Sequence, residues 1–109
     1  PYFGSLGMDL FEQFDRIVAR AVAHLSRHSP EVLAADVVVQ EVPRVPRKSP
    51  TAPLGRVLRQ TSPPQLVLHR RPIEHLGADS DLVRDVLAEL AGDLLAKSPD
   101  ELDPHYPRR

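Results

Sequence analysis

The chain has 109 residues, a formal net charge of −1, 41% hydrophobic and 27% charged residues, twelve prolines and no cysteine. That length and composition give one globular domain with a single modest core. The missing cysteines exclude disulfides, thiolate catalysis and cysteine-ligated zinc. The charge balance argues against a field directed at nucleic acid or an anionic membrane.

Glycines 4 and 7 with Ser5 read as a flexible lead-in over residues 1–8. Asp9 with Glu12 forms a capping-box pattern. Leu10, Phe11, Phe14, Ile17, Val18, Ala21, Val22 and Leu25 then recur at steps of three and four, which predicts an amphipathic helix ending near His28. Ser29-Pro30-Glu31 starts a short helical turn. Val37 to Val42 is valine-rich and predicts a strand. Residues 43–53 carry four prolines with Arg44, Arg47 and Lys48 and read as a basic proline-rich loop. Arg56 to Gln60 predicts a short edge strand, 61–64 a turn, and Gln65 to Arg70 a second firm strand. Pro72 opens a helical turn closed by Gly77. Asp79 or Ser80 caps a last long helix, whose apolar positions are Leu82, Val83, Val86, Leu87, Leu90, Ala91, Leu94 and Leu95. Ser98-Pro99 stops it, and 98–109 is read as a tail.

This order predicts an α+β domain with the first and last helices packed on a short mixed sheet. The expected core is Phe11, Phe14, Ile17, Val18, Val22, Val38, Leu66, Leu68, Val86, Leu87, Leu90 and Leu94. No apolar run approaches the roughly 20 residues that span a bilayer. No basic segment leads into an apolar stretch at the start, so no signal peptide is expected. Cytoplasmic placement is the expectation.

Several strings, in order, resemble the minimal zincin-like metallopeptidases of bacteria, common in actinobacteria. These are Phe11-Glu12, Val37 to Pro43, Leu54-Gly55, Arg70-Arg71-Pro72-Ile73-Glu74, and the last helix with Val86-Leu87-Ala88-Glu89-Leu90-Ala91-Gly92-Asp93. The resemblance spans residues 10–106 and implies a small zincin-like fold whose last helix would carry His-Glu-x-x-His. Two imidazoles at i and i+4 share one helical face and grip zinc, and the glutamate between them is the general base. Here Ala88 and Gly92 stand at the ligand positions, and Asp93 follows where relatives often carry a further histidine. Only Glu89 of the motif is present, as a vestigial base without a metal to lower the pKa of its water.

The resemblance therefore implies a catalytically inactive relative with no metal and no cofactor. Such a protein would act by binding a protein or peptide beside Ala88, Glu89, Gly92 and Asp93. One alternative is an active hydrolase with a zinc site rebuilt on His69, His75 or His105 and Glu89 as base. Another is a structural accessory that docks through charged surfaces.

Three further features have two readings each. Ala88, Gly92 and Ala96 are either a close-packing stripe or a leftover cleft. Asp81, Asp85, Glu89 and Asp93 recur every four residues, as a solvated face or as a contact for a basic segment, this chain's own or a partner's. Arg44, Arg47 and Lys48 belong either to an edge-blunting loop or to a polyproline ligand for a partner. Nucleic-acid binding is not expected, because that cluster lacks an aromatic to stack on a base.

Overall fold

The computed structural model describes residues 2–41, 53–77 and 79–108, with side chains described from residue 13 onward. Helix α1 spans Tyr2–His28, followed by a 3₁₀ turn at Pro30–Ala34. Strands β1 (Asp36–Gln40), β2 (Gly55–Leu58) and β3 (Gln65–His69) come next. Helices α2 (Arg70–His75), α3 (Ser80–Leu95) and α4 (Pro99–Leu102) complete the order. The fold is α+β with a mixed sheet in the order β1-β3-β2, where β1 runs parallel to β3 and β2 antiparallel to it. No described helix is long and apolar enough to cross a membrane.

Helix α1 begins seven residues before the expected Asp9 cap, so residues 2–8 are helical and the lead-in reading is corrected. The i+3/i+4 row that contains Leu10 and Phe14 continues back through Leu6 to Phe3. That periodicity outweighs two glycines, each of which costs a helix about 1 kcal/mol. The basic proline-rich loop, with Arg44, Arg47 and Lys48, lies outside the described residues, as does the side chain of Phe11.

Strand β3 is central, and Leu66 to His69 are all buried. Val37 pairs in register with Leu66 and Val39 with Leu68, so these four side chains share the helix-facing side of the sheet. The core joins Leu66 and Leu68 to Phe14, Val18, Ala21 and Leu25 of α1 and to Val83, Val86, Leu87 and Ala91 of α3. Ile17, Val22, Leu90 and Leu94 pack at its margin. Val38 is a correction to the expected core: it pairs with Val67 on the opposite face of the sheet and is only half-buried.

Asp79 caps α3, its Oδ1 accepting from the Leu82 N–H at 2.8 Å. At the other end Ala96 turns left-handed (φ 57°) and the Lys97 N–H donates to the Gly92 carbonyl at 2.9 Å. This is a helix-ending reversal that usually takes glycine. It folds the chain back across α3, so that a Cβ placed on Gly92 would sit 2.6 Å from the Lys97 carbonyl oxygen. The segment after it is not a free tail: Ser98 and Glu101 cap α4 through a Ser98 N–H to Glu101 Oε2 bond, and Leu102 and Asp103 are fully buried.

The two small residues one turn apart therefore respond in opposite senses. Gly92→Ala should lose about 1–3 kcal/mol despite its better helix propensity, because the obstacle is backbone. Ala96→Gly should gain about 0.5–1 kcal/mol by relieving the left-handed residue. Urea unfolding midpoints measure both.

Candidate functional site

The face of α3 that carries Glu89 is occupied by the chain itself. After α4, residues 103–108 run back over α3 and reach α1. The Tyr106 hydroxyl donates to Glu89, and the Arg108 backbone N–H donates to both Asp85 oxygens at 3.0 and 3.1 Å. Arg108 Nε donates to Asp103 Oδ2 at 3.1 Å, and Arg108 Nη2 donates to His24 Nε2 at 2.6 Å. The His105 N–H donates to Asp103 Oδ1 at 3.0 Å. Asp85 and Asp103 are both 0% exposed, and these bonds satisfy carboxylates that would otherwise be costly to bury. Burial by itself would raise the Asp103 carboxyl, but the His105 N–H and the Arg108 guanidinium hold it below the usual aspartate range. His24 is pushed below the ordinary histidine value, first by burial and then by the nearby charges of Arg84 and Arg108.

The acidic row on α3 is thus not a uniform solvated face. Asp85 is sealed, Glu89 is half-buried against Tyr106, and Asp93 pairs with Arg59 at 3.0 Å. Both partners of that last pair are more than half exposed, so it adds little stability. Asp81 is exposed in the first turn of the helix.

Ala88 is 0% exposed and Gly92 is buried, so neither presents a surface to a ligand. Close packing holds for Ala88 and Gly92, and α3 needs no side chain at 92 because Lys97 O occupies that space; Ala96 is exposed and ends the helix instead of extending the stripe. His69 is buried, its Nδ1 donating to the Pro53 carbonyl at 2.9 Å, and its Nε2 has no partner among the described residues. His75 and His105 are exposed. Among the described residues, no three His, Asp or Glu side chains converge as a group able to hold a metal. The Arg70-Arg71-Pro72-Ile73-Glu74 string has a structural role. Arg70 bonds both Glu41 at the end of β1 and Glu74 one turn along α2, Arg71 adds a second contact to Glu41, and Ile73 is fully buried.

An open surface lies elsewhere. A groove of about 600 Å³ runs between α1 and β1, with Val18, Val22, Val37 and Val39 along it and Leu33 at its rim. Leu33 is 63% exposed. Beside the groove, β1 is a sheet edge, and no described strand pairs with its outer side. The Asp36 N–H bonds the Pro64 carbonyl at 2.9 Å on the β3 side. By strand alternation, Val37 and Val39 then turn their N–H and C=O groups outward. Sequence reasoning placed Val38 of β1 in the core and assigned no face to Val37 or Val39. Only the sheet order reveals the strand as an edge.

No family model matches the chain, and neither the comparison with curated proteins nor that with solved structures returns a match.

The buried ion pair generates a stability prediction. Asp103→Ala leaves Arg108 without its carboxylate and the His105 N–H without an acceptor. It should cost about 2–3 kcal/mol, read as a lowered urea midpoint at unchanged slope.

Proposed function

We propose that this chain is a non-catalytic protein-binding module, related to the minimal zincin-like metallopeptidases but without their metal. It takes an extended apolar segment of a partner protein as a strand added to β1. The observation that carries this reading is the outward-facing backbone of Val37 and Val39 beside an apolar groove. An added strand satisfies those N–H and C=O groups, and every second side chain enters the space between α1 and β1. Such binding draws affinity from main-chain bonds and selectivity from the groove, whose valines and Leu33 favour β-branched or aliphatic residues.

The loss of catalysis rests on α3. Alanine and glycine offer no ligand atom, and the Lys97 carbonyl leaves no room for a larger side chain at 92. Glu89 is engaged by Tyr106. A zinc site rebuilt on His69, His75 or His105 gains no support from the described residues.

The test uses the full chain with a soluble probe peptide of alternating valine and threonine, capped by lysines. Amide shift changes should centre on Val37 and Val39 and weaken in Leu33→Asp. Shifts confined to α3, or none at Val37 and Val39, would overturn the reading. In parallel, peptidase activity should stay at background with one equivalent of added zinc, and turnover abolished by a chelator would count against loss of catalysis.

A further inference from the structure

The segment after α4 is held by one arginine used twice. Its backbone N–H is bound by Asp85, and its guanidinium lies between Asp103 and His24. A guanidinium only donates, so His24 Nε2, 2.6 Å from Arg108 Nη2, must be the acceptor and carry no proton. The contact therefore requires a neutral His24 with its hydrogen on Nδ1. A second proton on the ring would turn Nε2 into a donor facing a donor, and would place a positive charge against Arg108.

We propose that residues 103–108 form a strap latched over α3 by Arg108, and that protonation of His24 releases it. Charged and titratable groups face His24 from α1, α3 and the strap. Arg84 of α3 and Arg108 of the strap oppose protonation, Asp103 of the strap favours it, and His28 on α1 opposes it. His28 also meets the His24 ring edge-on at 5.3 Å. The Nε of Arg84 has no acceptor among the described residues, so that charge is not offset at this atom. Two arginines against one aspartate leave the neutral ring favoured in the closed state.

The direction of the pH effect follows. His24 binds its proton less tightly with the strap closed than with it open, where the ring returns towards its ordinary value near 6.5. The closed state has its full advantage above about pH 6.5 and loses it as the pH falls through the His24 titration. Release breaks the Tyr106 bond to Glu89 and opens Asp85 to water. This leaves an acidic surface on α3 that is hidden at neutral pH.

The full chain with Tyr2→Phe keeps Tyr106 as its one tyrosine, with no tryptophan to obscure it. A phenol bonded to a carboxylate emits weakly, so strap release raises its fluorescence. Between about pH 7.5 and about pH 5, above the range where most carboxylates protonate, emission should rise. Over the same range, the exchange protection of the Arg108 amide should fall severalfold. His24→Gln keeps an acceptor that does not titrate, and its strap should stay closed throughout. Arg108→Gln should read as open at every pH in this range. No change in the parent chain, or the same transition in His24→Gln, would overturn the proposal. Should His24→Gln lose its far-ultraviolet circular dichroism, the ring nitrogen shifts of His24 in the parent decide instead. Titration in step with the emission change supports the latch, and titration at a different pH overturns it.

Discussion

The reversal of the chain at the end of α3 is the constraint on which the α3 face depends. Ala96 in the left-handed region and the Lys97 N–H on the Gly92 carbonyl turn the backbone sharply enough for α4 to lie against the helix it has just left. The turn admits no side chain at 92, because the carbonyl of Lys97 occupies that space. It also sets the direction of residues 103–108. Without it, Asp103 would not reach the interior beside α1, and Arg108 would not lie within reach of His24 and Asp85. A local backbone requirement thus decides what covers Glu89.

Electrostatics on this face are resolved one residue at a time. Four acidic side chains at i, i+4 spacing would weaken an isolated helix by a few tenths of a kcal/mol per pair. Here Asp85 receives a backbone N–H, Glu89 a phenol and Asp93 an arginine. The sealed members of the node, Asp85 and Asp103, are acceptors supplied with donors. His24 is the group whose protonation would break that pattern, since it accepts from a donor that cannot reverse its role.

The two edges of the sheet differ in chemistry. β2 has four residues, carries exposed Arg56 and is followed by Arg59 and a proline pair, features that discourage further pairing. β1 carries three successive valines with acidic residues only at its flanks, Asp36 and Glu41. An apolar edge next to an apolar groove is a surface that sheet proteins normally shield. Glu41 is tied down by Arg70 and Arg71, which anchors the end of β1 and leaves Val37 and Val39 at the outer side.

By itself the sequence determined the elements whose cause is local. Apolar periodicity marked α1 and α3, a β-branched run marked β1, the apolar run Leu66-Val67-Leu68 marked β3, Asp79 or Ser80 marked the start of α3, and Ser98-Pro99 marked its stop. The periodicity of α1 also reached back to Phe3, but two glycines and the Asp9 capping pattern concealed it. It was equally legible that Ala88 and Gly92 offer no metal ligand, because that follows from residue type. Only the tertiary structure decided which valines face the helices and which lie on the far side of the sheet, since a strand's alternation is the same in either orientation. It also decided that β1 is an edge among the described strands, that backbone fills the space beside Gly92, and that His24, Asp103 and Arg108 meet. Those three residues are separated by as many as 84 positions. No spacing rule links them, because their contact depends on the path of the chain through the reversal at Ala96.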